Sequence, residues 1–101
     1  MTEPLVFAGP EGSITLTAAA LTELVAGAAR SVDGVRVRRP RRAVEIQHAD
    51  GRASVSLELG ATPGEPLPGL ARAVQERVGA TLAQVTGLEV ERVDVEIAEI
   101  G

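Results

Sequence analysis

Two patterns of apolar positions divide the chain. The first has helical spacing. Leu67, Leu70, Ala71, Val74, Val78, Leu82 and Val85 recur at three- and four-residue steps, with Arg72, Gln75, Glu76, Ala83 and Gln84 on the other side. Pro66 and Pro68 suit the approach and first turn of that helix, where a missing N–H costs little. Gly87 suits the left-handed position after its end. A shorter run upstream, Leu21, Leu24, Val25, Ala28, Ala29 and Val32, has the same spacing, with Thr22, Glu23 and Arg30 opposite. Thr17 is placed to cap it, because a hydroxyl can accept an orphan N–H of the first turn. Asp33–Gly34 stops it.

The second pattern is alternation. Ile14 and Leu16 alternate with Ser13 and Thr15 in a first short strand. In 43–48, Val44 and Ile46 point inward and Glu45 and Gln47 outward; in 53–59, Val55, Leu57 and Leu59 oppose Ser54, Ser56 and Glu58. Asp50–Gly51 between them supplies the positive φ angles of a tight hairpin turn. Val93, Val95 and Ile97 alternate with Asp94 and Glu96 in a last strand. The apolar phase is even at Leu88 and Val90 and odd from Val93. A one-residue slip turns side chains over, so a bend or bulge is expected near Glu91–Arg92. In 35–42, Pro40 argues against a central strand and leaves an edge strand at 35–38 open. The segment 60–66 reads as a turn-rich loop.

The sum is β-α-β-β-α-β. Strands apolar on one side only predict a sheet covered on one face. Two amphipathic helices on that face give a two-layer α+β sandwich with a mainly antiparallel sheet. The order fits the split βαβ, ferredoxin-like pattern; a KH-like arrangement of the same elements is the alternative. The domain is expected to span 12–101, after a flexible N-terminal segment, 1–11, in which Leu5–Val6–Phe7 has either an edge strand or surface docking open to it.

Composition narrows the picture. With 101 residues, 45% of them hydrophobic, one domain with a real core is expected; Phe7 is the only aromatic, so that core is built from Ala, Val, Leu and Ile. The absence of cysteine excludes disulfides and thiolate chemistry. The N-terminus lacks the basic and apolar regions of a signal peptide. No stretch approaches the roughly 20 apolar residues of a membrane span. Net charge is −4 but uneven: residues 30–42 hold six arginines against the single acid Asp33, a local +5, which leaves −9 on the rest. The segment 89–101 carries five acids and Arg92, a local −4. Two such segments either draw copies together head to tail or neutralise each other within one subunit.

Candidate chemistry is sparse. His48, Asp50, Ser54 and Ser56 lie close in sequence, but a triad needs a base in reach of an exposed serine and an oxyanion hole, and no nucleophile elbow is present. His48 reads as the end of a strand. Glu89, Glu91, Asp94, Glu96 and Glu99 are split by alternation over two faces, which suits a solvated strand guarded against edge pairing better than a metal site. The segment 60–64 has no GxxxxGK pattern, so no cofactor is expected. Arg36, Arg38, Arg39, Arg41 and Arg42 form the one feature that invites a partner. The plainer reading is a solvated loop. A protein or anionic-membrane surface comes next. Nucleic acid is disfavoured by the acidic total and the lack of stacking aromatics.

Four short motifs carry a resemblance. GSITLT at 12–17, DGRASVSLEL at 50–59, LARAVQERV at 70–78 and TGLEVERVDVEI at 86–97 resemble, in this order, the alkaline shock protein family of envelope stress response proteins, the general-stress-protein-24-like group. The resemblance implies a cytoplasmic, non-enzymatic protein of cell-envelope homeostasis, acting as an interaction or scaffold module. It implies protein partners, among them a membrane-anchored paralogue that holds the chain peripherally at the inner face of the membrane, and self-assembly. It supplies no catalytic residues. VRVRRPRR at 35–42 does not match the family motif, so the resemblance assigns the arginine loop no role. A small KH-like RNA- or DNA-binding module using that loop is the alternative.

Overall fold

Strand β5, Arg52–Ala61, is the axis of the molecule. The computed structural model describes residues 2–101. On one edge of β5 lie two short strands end to end: β4, Val44–Ala49, pairs with residues 52–57, and β3, Val35–Arg36, with Gly60 and Ala61, both antiparallel. On the other edge runs β6, Glu89–Ile100, parallel to β5. Parallel pairing requires a crossover, and helix α3, Leu67–Thr86, supplies it. Helix α1, Ala18–Arg30, packs beside α3 and against β4. The result is the expected two-layer α+β sandwich, with one parallel pair in its sheet.

The core lies between helices and sheet. Leu21, Val25, Ile46, Val55, Val74, Val78 and Leu82 are its largest fully buried side chains. In α3 the buried stripe runs in steps of four through Leu70, Val74, Val78, Leu82 and Thr86, so Val85, expected on the apolar face, falls beyond its edge and is 54% exposed. Thr22, expected to face outward, is buried, because α1 is packed by both α3 and β4. Thr17 caps α1 as expected: its hydroxyl accepts from the Ala20 N–H at 3.1 Å. Gly87 takes φ 75° after α3.

Two bulges set the faces of β6. Ala53 pairs with Val90 but Ser54 with Arg92, so Glu91 is the extra residue, where the phase change predicts it. A second shift leaves Ala98 unpaired between Ile97 and Glu99. It returns Glu99 to the open face beside Gly60.

The first strand differs from expectation. β2, Gly12–Leu16, does not join the main sheet; it pairs antiparallel with β1, Leu5–Gly9, in a separate hairpin closed at Pro10–Glu11. Thr2 and Glu3 lie along β4: the Thr2 hydroxyl accepts from the Ile46 N–H at 3.1 Å, and His48 Nε2 lies 3.0 Å from the Glu3 carbonyl. The hairpin extends the molecule to 51 × 22 × 18 Å, whereas a 20-residue helix spans only about 30 Å.

Candidate interaction surface around the arginine loop

The arginine loop is an excursion from an edge strand. β3 and β4 lie on the same edge of β5, and residues 37–43 leave that edge between them. Pro40 begins a single turn, α2, Pro40–Ala43, where its missing N–H is not needed by the ladder. The excursion is pinned from within. Val35, Val37 and Ala43 are buried, and Arg30 Nη2 donates to the Val37 carbonyl at 2.7 Å. The Arg39 carbonyl accepts from the Arg42 and Ala43 N–H groups at 2.9 and 3.0 Å. Arg39 itself takes a left-handed conformation, φ 48° and ψ 66°, which for a residue with a Cβ costs on the order of 1–3 kcal/mol. Buried Val37 before it and buried Ala43 after it fix the segment that holds it there.

Five candidate residues separate into two groups. Arg36 is half-buried on the open face of the sheet, with Nη2 3.7 Å from Glu99 Oε1 and Nη1 3.5 Å from the Thr62 hydroxyl. Arg38 approaches the same carboxylate, Nη2 to Oε1 at 3.4 Å and Nη1 to Oε2 at 3.5 Å. Gly60 leaves room for the first approach: a Cβ there would stand 3.2 Å from Arg36 Nη2 and 3.4 Å from Glu99 Oε1, so both side chains would have to give slightly. The basic loop and the acidic last strand are thus joined within one subunit at Glu99. Arg39, Arg41 and Arg42 are exposed and make no ion pair among the described residues. Sequence reasoning grouped all five. The signal that divides them was the second phase change, odd at Ile97 and even at Ile100, which marks the Ala98 bulge.

The open sheet face is polar and largely acidic. Arg42 borders a groove of about 300 Å³ there, with Ser56, Glu58, Asp94 and Glu96. The other acids of β6 are dispersed: Glu89 and Glu91 each lie 3.9 Å from Arg52, and Asp94 accepts from Arg92 at 2.7 Å. Among the described residues, no group of three or more His, Asp or Glu side chains is placed to hold a metal ion. His48 is turned to the Glu3 carbonyl rather than to a serine, and Asp50 sits in the hairpin turn with φ 53°. No described helix is long and apolar enough to cross a membrane.

The hairpin carries a feature that the sequence showed only in part. The hairpin exposes Val6, Phe7 and Ile14, at 56, 37 and 67%. The apolar run Leu5–Val6–Phe7 was visible as an edge strand or docking segment, but not its pairing with Ile14 and Leu16.

The family model of the alkaline shock protein 23 group, described as having a cell envelope-related function, matches residues 36–101. No curated protein matches the chain. Among solved structures, a triple variant of the MamM CTD matches with a TM-score of 0.55 at 21% identity, over 80% of this chain and 93% of that one. The copper form of another MamM CTD variant matches with a TM-score of 0.54 at 20% identity, over 80% and 95%. A cadmium form matches with 0.54 at 21%, over 80% and 94%. At these identities the likeness is one of fold.

Proposed function

Because this chain belongs to the alkaline shock protein 23 family, whose function is cell envelope-related, we propose that it is a non-enzymatic interaction module, held at the inner face of the membrane through a protein partner with an acidic surface. A membrane-anchored paralogue is the partner this reading favours. The observation that carries it is the surface formed by Arg39, Arg41 and Arg42: three exposed guanidiniums without ion pairs among the described residues, on a loop anchored by Val37 and Ala43. Such a loop presents charge without first having to be ordered, which lowers the cost of association. The acidic open sheet face and the lack of exposed stacking aromatics there weigh against nucleic acid.

The test is co-sedimentation with membranes of the source cell, comparing the wild type with Arg39→Glu/Arg41→Glu/Arg42→Glu. The wild type is expected to sediment with native membranes, to be released when their surface proteins are stripped by protease, and to lose most binding in the variant. Equal binding to protein-free anionic vesicles would replace the protein partner by lipid. Tight binding of RNA or DNA at physiological salt, steeply weakened by more salt, would replace it by nucleic acid.

A further inference from the structure

The hairpin is amphipathic. Leu5 pairs with Leu16 and Phe7 with Ile14, so these four side chains share one face, while Val6, Thr15, Ala8 and Ser13 form the other. The apolar face is only half used. Leu5 and Leu16, at the base, pack against the core, whereas Phe7 and Ile14, nearer the tip, lie beyond it and are exposed. A two-stranded hairpin is marginal in water by itself, and an apolar stripe that continues past its cover calls for a second cover. Charge says which. Glu11 stands at the tip and makes no ion pair among the described residues. Thr2 and Ala18, which flank the hairpin at its base, line a groove of about 360 Å³ with Arg41, Arg42, Val44 and Glu45. The tip is acidic, and the groove keeps a net positive charge, two arginines against one glutamate.

We propose that a second copy of this chain covers the hairpin: the two hairpins stack apolar face to apolar face about a two-fold axis, and the Glu11 tip of each meets the Arg41–Arg42 groove of the other. The arrangement is isologous and closes as a dimer. The apolar contact supplies the affinity, and the charged ends fix the antiparallel register. A lipid surface is a poorer cover, because the tip carries an acid and the hairpin carries no Trp, Tyr, Lys or Arg to sit at an interface. The inference rests on the previous reading for the availability of Arg41 and Arg42.

Sedimentation equilibrium at low salt tests it on the full chain. The wild type is expected to be a dimer that dissociates on dilution. Phe7→Ser/Ile14→Ser is expected to weaken the dimer by at least about tenfold, as truncation of a central apolar contact does. Glu11→Arg alone and Arg41→Glu/Arg42→Glu alone are each expected to weaken it, since both ends of either homodimer then repel; an equimolar mixture of these two is expected to recover it as a heterodimer, in which both ends attract. Glu11 is exposed in a turn, so its variant leaves the body folded, and thermal unfolding verifies this for all. A strictly monomeric wild type overturns the proposal. So does a dimer indifferent to Phe7 and Ile14, a mixture that recovers nothing, or a monomer whose Phe7 and Ile14 instead carry it onto vesicles. Membrane sedimentation of Phe7→Ser/Ile14→Ser reads the other proposal separately: retained binding with a lost dimer leaves both standing, and a retained dimer in a wild type that ignores native membranes removes only the partner reading.

Discussion

The body and the hairpin are built from the same kind of strand and end differently. In β5, Val55, Leu57 and Leu59 alternate with polar residues and are 1–3% exposed. In the hairpin, Phe7 and Ile14 lie on an equally apolar face and stay 37 and 67% exposed. The difference is the cover. α3 follows β5 and packs along β6 and beside α1, so the β5 stripe faces the helical layer that the chain's own crossover helps to build. The hairpin is followed at once by Thr17 and α1, and α1 is already committed to α3 and β4. Alternation marks a face for burial; connectivity decides whether the chain can bury it alone.

The sharpest way to break this contrast is in the body. Leu57→Ala empties a site 2% exposed between sheet and helices and is expected to cost about 2–5 kcal/mol, from lost transfer energy and the cavity left behind. Chemical denaturation reads this directly, and an unchanged midpoint would mean that β5 does not bury this face. A smaller effect is expected where α3 turns into β6. The buried Thr86 hydroxyl donates to the Leu82 carbonyl at 2.6 Å and accepts from the Leu88 N–H at 3.2 Å. Thr86→Val fills the same volume but leaves that N–H unpaired, for about 1–3 kcal/mol, and faster amide exchange at Leu88 would locate the damage. The smallest effect belongs to the hairpin. Measured under dissociating conditions, Ile14→Ser is expected to change the stability of the monomer by no more than about 0.5 kcal/mol, as at ordinary surface positions. A loss comparable to that of Leu57→Ala would show that the hairpin is part of the core.

Much of the body was legible because local rules settle it. The steps of four from Leu70 to Leu82, the Thr17 cap, the Asp50–Gly51 turn and the phase change at Glu91 each depend on residues within a few positions of one another. The arginine loop was legible as charge and not as a site. Whether Arg36 is paired depends on Glu99, which lies far along the chain from it.

The sequence by itself determined the two long helices, the strands of the main sheet, most of their inward faces and the two-layer class, because periodicity fixes which side chains can leave water together. Only the tertiary structure decided that the first strand stands apart in a hairpin, that β6 runs parallel to β5 with a second bulge at Ala98, and that two of the five candidate arginines are paired to Glu99 while three are not. The physical reason is the same for each. A strand pattern specifies a face but not an edge, and edges are allotted among segments distant in sequence, by which of them reaches the open N–H and C=O groups. Here Thr2, and not β2, meets the Ile46 N–H at the outer edge of β4, and β2 pairs with β1 outside the main sheet.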